Sequence, residues 1–231
     1  GADDENVKQG KNGRRGGVKK LQVTPYKIVK AFRYLKHFGP KEFLNHLRDR
    51  LEPEDVPYGP WYLEHRASEE ELEKERKTAV KDAPLISVLV PVFQTPEKYL
   101  REMIESVQAQ TYGNWELCIA DAPAGTEGES SSAIEAVVRE YAVQDGRIRY
   151  QKLEKNFGIS ENTNRAVRMS QGSYLGFLDH DDLLAPSALF RAATAISEQG
   201  AELIYTDEDK VEADSSRHFQ PHFKPEFNLD L

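Results

Sequence analysis

Cysteine is nearly missing from this chain. A single thiol, Cys118, in 231 residues excludes an internal disulfide framework and leaves no thiolate set for a zinc cage. A reducing, cytoplasmic setting is the simple expectation. No apolar run approaches 18 residues, so nothing reads as a membrane span. The opening Gly1-Ala2-Asp3-Asp4 has neither an initiator Met nor a signal-peptide pattern, as a fragment would. No internal repeat is evident. What remains is globular: 39% hydrophobic residues with ten Phe and ten Tyr exclude a disordered or fibrous chain.

The net charge of −8 conceals an asymmetry. Residues 1–50 hold 13 Lys/Arg against 5 Asp/Glu, and the rest hold 18 against 34. An acidic body excludes a nucleic-acid-binding domain as a whole, while the basic head suits an anionic surface. Residues 1–22 are polar, basic and Gly-rich, and are expected to be a disordered tail. Residues 23–83 read as a helical N-terminal extension. Ile28, Val29, Phe32 and Leu35 recur at helical spacing over 25–38, Phe43, Leu44 and Leu47 form a second short helix, and Ser68 N-caps a third. Pro53, Pro57 and Pro60 mark an irregular stretch around Trp61 and Tyr62, which pin the extension to the main domain.

From Pro84 onward strands alternate with helices. Strands are expected at 85–92, 115–120, 147–152, 174–178 and 201–206, and helices between them carry apolar stripes such as Leu100, Ile104 and Val107. Such alternation specifies a mainly parallel sheet covered on both faces, with ligands outside the C-terminal strand ends. Polar clusters collect there: Phe93-Gln94-Thr95, Asp121-Ala122, Asn156-Phe157-Gly158, Asp179-His180-Asp181-Asp182 and Asp207-Glu208-Asp209. The cluster 179–182 is the sharpest signal. Three carboxylates in four residues repel one another unless a cation is present. In an extended segment Asp179 and Asp181 would share a side, and their hard oxygens suit Mg²⁺ or Mn²⁺. The plain alternative is a solvated turn with Asp182 capping the next helix. His180 reads as supporting rather than ligating, Cys118 as core, and His218 and His222 as weak metal candidates beside the acidic loop 207–214.

Together these strings resemble family 2 glycosyltransferases: ISVLVPVFQT (86–95), SVQAQTY (106–112), WELCIAD (115–121), NFGIS (156–160) with Asn164, GSYLGFLDHDDLLAP (172–186) and LIYTDEDK (203–210). Their order and spacing agree over about 85–231, and the last string is similar to bacterial members that build surface polysaccharides. The resemblance implies a GT-A, Rossmann-like α/β fold over 84–231, incomplete at its C-terminus, that binds a nucleotide-diphospho-sugar. It implies that Asp179 and Asp181 are the DxD pair for metal (Mn²⁺ or Mg²⁺) and diphosphate, with Asp182 the next acid and His180 between. It places Pro91, Val92, Phe93 and Gln94 by the base and ribose, with Asp121, Asn156, Gly158 and Asn164 also near the nucleotide.

Two departures affect base recognition: Gln94 stands where the family commonly has Asn, and Ala122 where relatives have an acid that contacts uracil. UDP-, dTDP- and GDP-linked donors therefore all stay open. An inverting member needs a carboxylate base for the acceptor hydroxyl. The resemblance places that base downstream of Leu231, so this chain reads as mainly the donor- and metal-binding part. The acceptor is a glycan or a lipid-linked glycan. Helix 25–38 either packs on the main domain or lies on the anionic inner face of the plasma membrane. Two competing readings are a non-catalytic nucleotide-sugar-binding or scaffolding module and a metal-dependent phosphoesterase. The latter needs further ligands to converge on a second metal.

Overall fold

The computed structural model describes residues 35–36, 39–41, 43–44, 58–123, 131–212 and 217–225. The expected disordered tail 1–22 and helix 25–38 lie largely outside them. Close contacts divide the chain into two units. One comprises the described residues up to Glu64 together with Glu208–Phe223, and the other comprises His65–Asp207 and the residues from Lys224.

The larger unit opens with α2 (Glu69–Lys77), whose Ser68 cap is complete. Ser68 Oγ accepts the amide of Glu71, and the Glu71 carboxylate accepts the amide of Ser68. Three acids in its first turn and three cations in its last suit the helix dipole. The sheet then builds from β1 (Ile86–Phe93), β2 (Trp115–Ala122), β3 (Ile148–Lys152) and β4 (Tyr174–Phe177), all parallel, in the order β3-β2-β1-β4. β2 is buried along its whole length and β1 over its first five residues, as strands covered on both faces must be.

Alternation splits the sheet's two faces. Val88, Val90, Val92, Leu117 and Ile119 join Leu100, Met103, Ile104 and Val107 of α3 (Glu97–Gln108), Val137 and Val138 of α4 (Ser131–Gln144), and Leu189 and Ala193 of α6 (Ala188–Gln199). On the other face Leu89, Cys118, Ala120 and Ala122 pack with Ala166 of α5 (Ile159–Met169). Burial pushes the Cys118 thiol up to about 12, so it is an inert core group. β4 is an edge strand; its Leu175 and Phe177 stay 41% and 70% exposed, because α5 covers β1 and β2 instead.

One corner of this unit is acid-sensitive. The Asp145 carboxylate accepts from Arg147 Nε at 2.9 Å and from another guanidinium nitrogen at 2.8 Å. These bonds outweigh burial and hold its pKa at about 2, below the ordinary 3.8. A lowered carboxyl pKa adds stability above about pH 4 that disappears as pH falls toward 2. With Arg147 40% exposed, solvent screening reduces the contribution to about 1–2 kcal/mol. Urea unfolding of Asp145→Asn should show that deficit at pH 5, and the deficit should shrink toward zero near pH 2.

The smaller unit contains α1 (Tyr58–His65) up to Glu64 and the antiparallel pair β5 (Glu208–Val211) and β6 (His218–His222). The stretch around Trp61 and Tyr62, expected to be irregular, is therefore helical. Its rings pack on the hairpin: Tyr62 stacks on His218 at 3.8 Å, and Trp61 meets Phe223 edge-on at 5.1 Å. A strand expected at 201–206 does not form; those residues are irregular, and the pairing starts at Glu208. Apolar Leu203, Ile204 and Tyr205 carry β propensity but find no neighbouring strand among the described residues.

Candidate functional site

The C-terminal ends of β1, β2 and β4 form one rim. β1 ends at Phe93, paired in register with Ala122 and 37% exposed. Gln94 follows in the left-handed region at φ 52°, a conformation that Asn tolerates better than Gln. Val92 is fully buried in the core, and Pro91 is half-buried, so Phe93 is the one large side chain this strand presents to solvent at the rim.

Asp121 is paired in register with Val92 and shares its face of the sheet, the one covered by α3 and α4. It is 2% exposed, and Oδ2 accepts the Tyr150 hydroxyl at 2.8 Å. Burial pushes its carboxyl above the ordinary range, although that hydroxyl and Lys152 pull the other way. Asp121 is thus a buried, hydrogen-bonded side chain near the end of β2. Tyr150, which sequence reasoning passed over, is its partner; the signal was a lone Tyr on the neighbouring strand.

After β3 the chain turns through Asn156-Phe157-Gly158 into α5. Asn156 Oδ1 accepts the Gly158 amide at 2.9 Å and Asn162 Nδ2 at 2.9 Å, while Asn162 Oδ1 accepts the Phe157 amide at 3.1 Å. Gly158 has φ 87°, which explains the glycine; a Cβ there would meet nothing. The buried Asn162 was missed, because polar residues in a first helical turn usually face water. Asn164 is exposed and donates to Glu161 at 3.3 Å.

β4 delivers the acidic cluster. Instead of the expected extended run, 179–182 is a turn in which the Asp182 amide donates to the Asp179 carbonyl at 3.2 Å. Four polar residues after a short edge strand favour turning over continued pairing. Asp179, Asp181 and Asp182 are exposed, and His180 Nδ1 lies 3.6 Å from Asp181 Oδ1. Asp182 does not cap α6, whose N-cap is Ser187.

No three His, Cys, Asp or Glu side chains converge to hold an ion by themselves among the described residues. The donors present still fit a cation shared with a ligand: Mg²⁺ and Mn²⁺ take one or two carboxylates and complete their shells with phosphate and water. Of the remaining acids, Asp207 accepts the Lys224 amide at 2.7 Å in the larger unit. In the smaller unit, Asp209 accepts the Tyr58 hydroxyl at 2.7 Å and pairs with His218 Nδ1 at 2.9 Å. These acids serve local structure, and His218 is occupied by that pairing.

Comparison with known proteins bears on this rim. A protein of Sinorhizobium fredii named y4gI, itself uncharacterised, is 45% identical over 153 residues, covering 66% of this chain and 16% of its own length. The O-antigen biosynthesis protein RfbC of Myxococcus xanthus is 30% identical over 219 residues, covering 91% of this chain and 17% of its own length. This chain thus spans about a sixth of these relatives. Among solved structures, S. aureus TarS 1-349 aligns at TM-score 0.43 and 25% identity over 50% of this chain and 33% of that one. A mannosyltransferase of Pyrobaculum calidifontis, solved with GDP-Man and Mn²⁺, aligns at TM-score 0.42 and 18% identity, over 57% and 38%. Residues 87–228 match the family described as Glycosyl transferase family 2, and the match runs from the second residue of β1 through all the other strands of the rim. The chain belongs to that family of glycosyltransferases.

Proposed function

We propose that the rim binds the nucleotide-diphospho-sugar donor of an inverting transfer that extends a glycan or lipid-linked glycan in cell-surface polysaccharide synthesis. The observation that carries this reading is the acidic turn at the end of β4, beside the central strand β1. Asp179 and Asp181 would hold Mn²⁺ or Mg²⁺, with Asp182 next to them. When bound, the cation supplies positive charge to the departing diphosphate. Phe93 offers a ring face to base or ribose, and the Gly158 turn leaves the backbone approachable. Asp121, held by Tyr150, supports the end of β2 from the face opposite Ala122. With an alanine in place of an acid there, the base is read by shape more than by a carboxylate, so the donor is a UDP-, dTDP- or GDP-sugar. No helix among the described residues is long and apolar enough to cross a membrane. Contact with a lipid-linked acceptor at the inner membrane face would fall to the basic segment 25–38.

Thermal-shift measurements with UDP-, dTDP- and GDP-sugars, each with and without Mn²⁺, test the reading. A Mn²⁺-dependent rise with one nucleotide class is expected, reaching about 2.7 kcal/mol of stabilisation at a hundredfold excess over Kd. No rise with any of the three would overturn it.

A further inference from the structure

The acidic turn contains a polar atom that donor binding, as described so far, leaves unexplained. His180 Nδ1 is buried and makes no hydrogen bond. Its neighbour Asp181 Oδ1 lies 3.6 Å away, inside ion-pair range and beyond hydrogen-bond length. The imidazole is 28% exposed and the Asp181 carboxylate 57%, so the ring is the better anchored of the two. Buried polar atoms are almost always paired, because an unmet one keeps its full desolvation cost. The Asp182-to-Asp179 bond fixes the turn, with His180 and Asp181 at its two central positions. The slack therefore lies in the exposed Asp181 side chain.

We propose that His180 is a positioning residue. Its Nδ1–H bonds to one oxygen of Asp181 when a divalent cation and the donor diphosphate draw that carboxylate in, and so aims the other oxygen at the cation. This rests on the reading of 179–182 as the donor site. A side-chain movement of under about 1 Å converts the present contact into a charge-assisted bond of about 2.8 Å. Ligating carboxylates are commonly held in this way, and losing the outer partner typically costs 10–100-fold in metal affinity.

The test measures Mn²⁺ affinity, by the loss of the free-ion electron paramagnetic resonance signal, in the presence of UDP, dTDP or GDP. It uses the whole chain, and circular dichroism verifies the fold of each variant. His180→Leu should weaken Mn²⁺ binding 10–100-fold. His180→Asn, which keeps an N–H near the Nδ1 position, should recover most of it, and Asp181→Asn should lose it. Equal weakening in the Leu and Asn variants would mean that the ring merely fills space, and would overturn the proposal. Wild-type affinity in His180→Leu beside loss in Asp181→Asn would overturn it while leaving the donor site intact. Unchanged binding in Asp181→Asn would overturn the donor-site reading itself.

Discussion

Glu116→Ala is expected to lower the unfolding free energy by about 2–4 kcal/mol, a large share of the ~5–15 kcal/mol typical of a domain. Glu116 sits near the start of β2, 6% exposed, opposite Ser87 of β1. Its Oε1 accepts the Ser87 hydroxyl at 2.6 Å and the amides of Gln171 and Gly172; its Oε2 accepts Arg149 at 3.0 Å. Burial opposes the charge, but these donors win and hold the carboxyl below its ordinary range. Removing it leaves the Ser87 hydroxyl and the Gln171 amide without that acceptor, while the Gly172 amide keeps Ser87 Oγ at 2.9 Å. Gly172→Ala attacks the same knot from the other side. A Cβ there would fall 2.5 Å from Ser87 Oγ and 2.6 Å from the Leu85 carbonyl, so backbone must move. Its cost should reach about 3 kcal/mol once strained packing and broken bonds combine. Urea unfolding of both variants decides the matter, and a loss under about 1 kcal/mol would show the knot to be incidental.

Asp179→Asn and Asp181→Asn should each reduce Mn²⁺-dependent donor binding by about 100-fold or more while leaving the fold unchanged. A cation at ligand distance interacts with a carboxylate by several kcal/mol even at a high effective dielectric, and an amide forfeits most of that. Both side chains are exposed, and surface changes of this kind usually stay within about 0.5 kcal/mol of wild-type stability. Isothermal titration paired with thermal melts separates the two effects. Retained donor affinity in both variants would remove the acidic turn from the site.

Much of the larger unit was legible because burial on both faces writes itself as continuous apolar runs. β1, β2, β3 and β4 all lie within about two residues of their expected bounds, and the expected stripe of Leu100, Ile104 and Val107 is the buried side of α3. The Ser68 cap was readable because its chemistry is local. What escaped was set by distant partners. Asp121 was expected just past the second strand, whereas β2 continues through Ala122 and the carboxylate meets Tyr150 of β3, a partner that the local sequence does not announce. Glu116 stood out only as a charge within a strand; nothing nearby announced Ser87, Arg149 and Gly172. Residues 201–206 have strand-like side chains without a neighbour, whereas Glu208–Val211, poor in strand formers, pairs with His218–His222. The matching acids 179–182 were legible as a cluster, but their turn was not, since charge says nothing of backbone direction.

The order β3-β2-β1-β4 also bears on how the chain matures. β1 is flanked on one side by β2, about twenty residues later, and on the other by β4, eighty residues later. A ribosome adding 5–20 residues per second leaves that second edge of β1 bare for several seconds. During that interval a strand rich in Val, Leu and Ile, later buried, is an open template, so the stretch of synthesis between β1 and β4 is when this sheet is most open to wrong pairing.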